Sequence, residues 1–161
     1  MDTGIVIREV KTDDINSVVE LHKKVVGLEN SKFYPTEIIN EWLSQISHEN
    51  VFQQLSITDT PWYLIEVNKK IVGFSQFSTA DKCLYQINID PNYLGNGYGK
   101  KLYSFIEEKF RDSKADRIEL WSTINAKEFY EKLGYKVIKK IKTKLINEEM
   151  DEYLMEKKLL Q

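Results

Sequence analysis

Apolar residues follow two different spacings along this chain, and these spacings predict most of its secondary structure. Alternating or continuous apolar stretches predict strands at 5–10, 62–67, 70–78, 83–89, 117–122, 135–143 and 151–158. Apolar residues three and four positions apart predict helices at 13–26, 35–47, 99–110 and 126–133. The pattern over 49–60 favours neither type. The order of elements predicts an α/β fold with a mixed sheet, in which an antiparallel meander leads into a βαβ unit.

Composition limits the class of protein. A chain of 161 residues with 42 % hydrophobic residues predicts a single domain over 1–161 with a buried core. One cysteine and two separated histidines exclude a Cys/His zinc site, and we expect no metal. A net charge of −2 argues against nucleic acid as a partner, and the lack of a long apolar stretch argues against a membrane span. The first ten residues lack the pattern of a signal peptide, so we expect a cytoplasmic location. As to assembly, a monomer or a homodimer is expected.

Alternate glycines connect a predicted strand to a predicted helix. Asp90 and Pro91 follow the strand, and Gly95, Gly97 and Gly99 lead into the helix. Glycines at this spacing allow successive backbone N–H groups to converge, and the N-terminus of the helix adds positive potential. The segment therefore indicates an anion site suited to phosphate. A turn without a ligand is the alternative, although three glycines in five residues exceed what a turn needs.

Two well-known phosphate loops do not fit this segment. A Walker loop would need Gly at position 94 and Ser or Thr at position 101, where the chain has Leu94 and Lys101. A dinucleotide-binding fingerprint that starts at Gly95 would need a third Gly at position 100, which is Lys100. That fingerprint also lies early in a βαβ unit, whereas this loop follows a predicted antiparallel meander.

Two motifs in the right order resemble those of the GCN5-related N-acetyltransferase (GNAT) family. The pattern Asp90-Pro91-x-x-x-Gly95-x-Gly97-x-Gly99 resembles its motif A, and segment 125–135, with Phe-Tyr before Leu-Gly-Tyr, resembles its motif B. Segment 154–159 resembles the last strand, so the resemblance covers the whole chain. It implies a central mixed sheet of six to seven strands flanked by about four helices, and splayed at the acetyl-CoA site. The implied reaction is acetyl transfer from acetyl-CoA to a primary amine of a small molecule, peptide or protein, by direct attack.

The resemblance also implies the roles of particular residues. The glycine loop would grip the pyrophosphate, and the strand before it would hold the pantetheine arm with its backbone. The implied cofactor-binding residues are Ile87, Asn88, Ile89, Gly95, Asn96, Gly97, Tyr98, Gly99, Lys100 and Asn125. Tyr130 aligns with the general acid that faces the CoA sulfur. The alternative for Tyr130 is a core tyrosine on the apolar face of a short helix.

One position departs from the family pattern. The family's loop usually begins with Arg or Gln, and this chain has Leu94 there. The change removes a side-chain contact to phosphate, but it leaves the backbone groups in place, and Lys100 or Lys101 could supply charge. A non-catalytic CoA-binding regulatory module is therefore the alternative to an enzyme. An unrelated phosphate-binding module is a third hypothesis.

The roles of several other polar residues are less specific. Asn125 stands three residues before Glu128, a spacing typical of a capping box, so it could cap a helix or contact the cofactor. The general base is not identifiable, with Glu66, Glu119 and a water chain as candidates. His22 and Cys83 are expected to be structural.

The acceptor pocket is expected between the first two helices and the loop that joins the last two strands. Phe33, Tyr34 and Trp42 are its candidate wall residues. These side chains do not identify the acceptor amine.

Overall fold

A single seven-stranded sheet organises the protein in the computed structural model, which describes residues 4–160. The strands are β1 Ile5–Glu9, β2 Trp62–Val67, β3 Lys70–Ser78, β4 Cys83–Ile89, β5 Arg117–Ser122, β6 Lys136–Lys144 and β7 Glu149–Lys158. Their spatial order is β1-β2-β3-β4-β5-β7-β6. Strands β4 and β5 run parallel, and every other neighbouring pair is antiparallel. The predicted mixed sheet is confirmed.

Within residues 4–160, five α-helices accompany the sheet, where the resemblance implied about four. They are α1 Ile15–Leu28, α2 Thr36–Ser44, α3 His48–Leu55, α4 Tyr98–Asp112 and α5 Lys127–Lys132. The predicted helix over 35–47 ends at Ser44, and α3 occupies part of the segment whose pattern was ambiguous. Ser47 begins α3 as an N-cap, since its Oγ accepts the backbone N–H of Asn50 at 3.2 Å.

Alternation along the strands divides the core into two layers. Phe77 on β3 and Ile65 on β2 pack with Phe110 of α4 on one face of the sheet. Leu64 on β2 and its cross-strand partner Phe74 on β3 pack on the other face with α1 and α3. A third cluster joins α2 to β7 through Met150 and other apolar side chains, which are Val26, Tyr34, Ile38, Ile39 and Ile46.

The sheet opens between its two parallel strands. Only Cys83 of β4 and Glu119 of β5 are paired, and the two strands then diverge. Tyr85 is an extra residue in β4, because Gln86 pairs with Gln76 whereas Leu84 pairs with Phe77. Such a β-bulge bends its strand, which accounts for the divergence.

The described residues contain neither a candidate membrane-spanning helix nor a candidate metal site. None of the helices within 4–160 is both long and apolar enough to cross a bilayer. The same residues contain no group of three His, Cys, Asp or Glu side chains that could hold a metal ion.

Candidate active site

The opening between β4 and β5 exposes backbone hydrogen-bonding groups. In an antiparallel pair, successive residues turn their N–H and C=O groups to alternate sides. The Asp90 N–H donates to the Val72 carbonyl at 2.8 Å, so the backbone of Asn88 also faces β3. Ile87 and Ile89 therefore turn their backbone groups toward the opening. Of the three strand residues implied to hold a pantetheine arm, these two present their backbone there, while Asn88 does not.

A cavity of about 640 Å³ occupies this opening. Its wall includes all three predicted strand residues, and Tyr130 lies in the wall as well. Tyr130 is only 6 % exposed, and its ring packs edge-on against Phe129 and Tyr135. Burial raises the pKa of the Tyr130 phenol, so the hydroxyl stays protonated at neutral pH and can donate a hydrogen bond.

The glycine loop lies beside this cavity, at the beginning of α4. Gly95 and Gly97 both have φ near +80°, a conformation that favours glycine. The first helical bond of α4 joins the Lys101 N–H to the Gly97 carbonyl, at 3.0 Å, which leaves the N–H groups of Tyr98, Gly99 and Lys100 without intrahelical acceptors. The Asn96 side chain holds the loop by donating to the Tyr93 carbonyl at 3.1 Å. This geometry has the free N–H groups that the predicted anion site requires.

Leu94 is the position where the resemblance would place a side chain that contacts phosphate. It is half-exposed and lines the cavity, whereas residues 95–100 are not part of the cavity wall. Lys100 and Lys101 are exposed and form no ion pair within residues 4–160. Their ammonium groups are therefore free to approach an anion at the loop.

The loop is fixed to α1 by an ion pair. Lys24 Nζ donates to Asp90 Oδ1 at 2.8 Å, and the same oxygen accepts the Asn92 N–H at 2.9 Å. Partial burial would raise the pKa of Asp90, but Lys24 and this N–H outweigh it and lower the pKa. Asp90 is thus a charged anchor for the start of the loop.

The predicted capping box at Asn125 is wrong. The chain first makes a 3₁₀ turn at Ile124–Ala126, so α5 begins at Lys127 with Ala126 as its N-cap. The Asn125 side chain instead accepts from Asn30 Nδ2 at 3.0 Å, and both residues line the cavity. Asn125 is therefore available to a ligand, and its cofactor contact stays a prediction.

The expected acceptor pocket is formed in part by the expected residues. Phe33 and Trp42 line the cavity, but Tyr34 does not. The Tyr34 hydroxyl instead donates to the Asp151 carbonyl at 2.7 Å and accepts the Ile124 N–H at 2.9 Å. Tyr34 therefore links three separate chain segments around the cavity.

Glu152 on β7 is a carboxylate that the sequence did not single out. It lines the same cavity as Tyr130 and accepts a hydrogen bond from the Thr143 hydroxyl. Burial raises the pKa of Glu152, although the Thr143 hydrogen bond acts in the opposite direction. The periodicity of β7 predicted only a strand, so no signal in the sequence distinguished this carboxylate from its neighbours.

The two candidate bases named from the sequence lie elsewhere. Glu66 pairs with Arg8 on β1, and Glu119 pairs with Arg117 at 3.2 Å. Neither carboxylate lines the cavity. Both are partners of arginines on the sheet, and they are therefore excluded as groups that touch a substrate in this cavity.

Glu41 on α2 holds the β6–β7 loop. Its carboxylate accepts backbone N–H groups from Ile146, Asn147 and Glu148 at 2.8–3.1 Å. Desolvation would raise the pKa of Glu41, but these donors outweigh it and lower the pKa. The contact fixes the loop to α2, although about a hundred residues separate them in sequence.

His22 and Cys83 have the structural character expected from the sequence. Burial lowers the pKa of His22 to about 4, so its ring is neutral, and the ring packs edge-on against Phe74. His22 nevertheless lines the cavity. Burial raises the pKa of the Cys83 thiol to about 12, which leaves it protonated and unreactive.

These features fit acetyl-CoA, the acetyl donor that the resemblance implies. A long arm could enter the opening between β4 and β5, where Ile87 and Ile89 supply backbone partners. The glycine loop and the start of α4 supply N–H groups for phosphates. Nothing in the arrangement of these described residues conflicts with acetyl-CoA.

Comparisons with known proteins agree with this fit. A sequence profile described as an acetyltransferase (GNAT) domain matches residues 29–157. An uncharacterised N-acetyltransferase of Methanocaldococcus jannaschii is 28 % identical over an alignment of 142 residues, and the match covers 80 % of this chain. The chain spans 59 % of the length of that relative.

Solved structures share the fold along nearly the whole chain. A GCN5-related N-acetyltransferase from Rhodopseudomonas palustris has a TM-score of 0.89 at 19 % identity, covering 99 % of this chain and 98 % of its own. A PaiA N-acetyltransferase from Thermoplasma acidophilum, solved with coenzyme A, has a TM-score of 0.78 at 21 % identity, with 99 % and 100 % covered. From the profile match and the shared fold, we conclude that this chain belongs to the GNAT family of acetyltransferases.

Proposed function

We propose that this protein transfers the acetyl group of acetyl-CoA to a primary amine by direct attack. The observation that carries the proposal is the presence of Tyr130 and Glu152 in the wall of one cavity, at the opening between β4 and β5. The Tyr130 hydroxyl can donate a hydrogen bond to a leaving thiolate, and the Glu152 carboxylate can accept the proton that the attacking amine loses.

The proton balance assigns a role to each side chain. Bound acetyl-CoA supplies a thioester, whose carbonyl carbon forms the new C–N bond as its C–S bond breaks. Glu152 accepts the proton that the amine nitrogen must lose, and its raised pKa makes its carboxylate a better acceptor. Tyr130 donates a hydrogen bond to the departing sulfur, and this bond strengthens as the thiolate forms; the raised pKa of the phenol disfavours full transfer of its proton. Ile87 and Ile89 orient the donor through their backbone groups.

Tyr130→Phe tests the donor role. The substitution keeps the ring that packs against Phe129 and Tyr135, so folding and CoA affinity should change little. Turnover, measured as thiol release from acetyl-CoA with a panel of amines, should fall about 10²-fold or more. The matched control is Tyr135→Phe, which removes a buried hydroxyl outside the cavity. Turnover by folded Tyr130→Phe at the wild-type rate would exclude the role.

Glu152→Gln tests the proton acceptor. An alkyl amine with a pKa of about 10.4 has roughly a 100-fold larger free-base fraction at pH 9 than at pH 7. We therefore expect the variant to lose more of its kcat/KM at pH 7 than at pH 9. An equal loss at both pH values would mean that Glu152 does not accept the proton.

Leu94 supports one other candidate, a CoA-binding module without catalytic activity. The half-exposed leucine stands where the family places a phosphate-binding side chain. This candidate predicts CoA binding by isothermal titration together with no thiol release for any amine. The same two measurements therefore separate it from the enzyme.

A further inference from the structure

A second cavity adjoins the first on the side of the sheet that carries α1 and α3. Its volume is about 710 Å³, and its wall comes from α1, α3, the segments that flank α3, and strands β2, β3 and β4. His22, Tyr85 and Gln86 line both cavities. A molecule whose amine lies in the first cavity could therefore extend past these three side chains into the second.

Carboxamides dominate the second cavity. Six of them line it, namely Gln45, Asn50, Gln53, Gln54, Gln76 and Gln86. Amide side chains can both donate and accept, so they match hydroxyl and amide groups of a ligand.

Charge is nearly absent from this wall. Within residues 4–160, it contains no lysine or arginine, and His22 is neutral. Its one carboxylate, Asp81, already accepts the Tyr85 hydroxyl at 2.8 Å. An anionic ligand would find no cation here, and a cationic ligand would have to compete for Asp81.

A chain of hydrogen-bonded amides joins the two cavities. Asn88 Nδ2 donates to Gln86 Oε1 at 3.0 Å, Gln86 Nε2 donates to Gln76 Oε1 at 3.0 Å, and Gln76 Nε2 donates to Gln54 Oε1 at 3.2 Å. In each of the three bonds, the residue nearer the first cavity donates and the residue nearer the second cavity accepts. The chain therefore presents the Asn88 Oδ1 acceptor at the first cavity and the Gln54 amino group at the second.

We propose that the second cavity binds the tail of the acceptor amine, and that this tail is uncharged and carries hydroxyl or amide groups. The inference rests on the proposed acetyl transfer, and it adds the class of acceptor. The amine lies near Glu152, and the tail crosses β4 and exchanges hydrogen bonds with Gln54 and the other amides. An apolar tail would cover the Gln54 amino group at the end of this chain without offering it an acceptor, which is unfavourable.

The test compares primary amines of similar length that differ in the tail. The panel is hexylamine, 1,6-diaminohexane, 6-aminohexanoate, 1-amino-1-deoxysorbitol and 6-aminohexanamide. We expect kcat/KM of one of the last two to exceed that of the first three at least 10-fold. The preferred member distinguishes a hydroxylated tail from an amide tail. A preference for the apolar amine, the diamine or the amino acid would overturn the proposal.

Gln54→Leu adds a second readout, because it replaces the amide with an apolar side chain of similar size. We expect it to raise KM for the preferred amine 5-fold or more, with CoA affinity unchanged and little change in kcat. Phe52→Leu on the same helix is the control, since Phe52 is half-exposed and lies outside both cavities. An unchanged KM in folded Gln54→Leu would refute the role of the cavity.

The outcomes separate this inference from the proposed function. CoA binding without acetylation of any amine would remove the proposed function. Acetylation of every amine with equal efficiency would retain that function and remove the inference. A tail preference that survives Gln54→Leu would also remove it, because selection would then occur elsewhere.

Discussion

Removing the Tyr34 hydroxyl should both destabilise the protein and loosen its acceptor site. Tyr34 is only 6 % exposed, and its hydroxyl bridges the Asp151 carbonyl and the Ile124 N–H at 2.7 and 2.9 Å. Tyr34→Phe keeps the ring but deletes both bonds. It also leaves two backbone groups without this partner.

The size of the effect follows from these two bonds. A neutral hydrogen bond contributes about 1 kcal/mol net, and an unsatisfied buried partner costs about 1–3 kcal/mol. Because water in the adjacent cavity can reach part of the site, we expect a loss of about 2–3 kcal/mol in the free energy of unfolding. For a domain of this size, that loss lowers Tm by about 4–12 °C.

Chemical denaturation and thermal melting measure the loss, and Tyr63→Phe is the matched control. The Tyr63 hydroxyl forms a single 3.3 Å bond with exposed Glu9, so its removal should change stability by less than about 0.5 kcal/mol. Tyr34→Phe should also raise KM for the acceptor, because the bridge lies next to Asn125 and Glu152. If Tyr34→Phe were as stable as Tyr63→Phe, the bridge would contribute nothing to folding.

Three further predictions concern the glycine loop and a charged cluster. Gly97→Val should abolish CoA binding in isothermal titration, because a β-branched residue resists a φ near +80°; near-wild-type affinity in a folded variant would contradict the phosphate site. Leu94→Arg should tighten CoA binding by up to about 1.5–3 kcal/mol, with a gain that shrinks as salt is added; an unchanged affinity at low salt would place Leu94 away from phosphate. Glu107→Gln should cost about 2 kcal/mol at pH 7 and much less at pH 3, as measured by denaturation at each pH. Burial would raise the pKa of Glu107, but bonds from Lys157, Tyr103 and Arg111 outweigh it and lower the pKa. The pKa of Glu107 is thus lower in the folded state than in the unfolded state. The carboxylate therefore adds to the free energy of unfolding above the unfolded pKa, and this stabilisation is lost as pH falls through the folded pKa. An equal cost at both pH values would contradict this linkage.

Local patterns predicted most elements but not every boundary. The seven strands follow from apolar alternation or continuous apolar stretches, although β6 has no buried residue in the folded chain. The sequence pattern does not predict α3, because the 49–60 segment has few apolar residues. Ser47, the N-cap of α3, lies instead at the end of the predicted preceding helix. A cap is a short local signal, so it is easily assigned to the wrong helix.

The candidate site was less predictable, because its key contacts join distant segments. Asn125 has the spacing of a helix cap, but it bonds instead with Asn30, 95 positions away. Glu41 and Tyr34 hold segments more than 80 residues distant. No periodicity encodes such pairs. The family resemblance located Tyr130 and the glycine loop, whereas Glu152 emerged only when β7 was placed beside the cavity.

The single paired position between β4 and β5 makes this sheet two smaller sheets that are joined at one end. A ligand that fills the opening would act as a substitute strand, and folding and binding would then be coupled. Amide hydrogen exchange can reveal that coupling residue by residue. The N–H groups of Ile87 and Ile89 should exchange readily in the free protein, while that of Asn88, bonded toward β3, stays protected. Addition of CoA should slow the first two and leave the third unchanged.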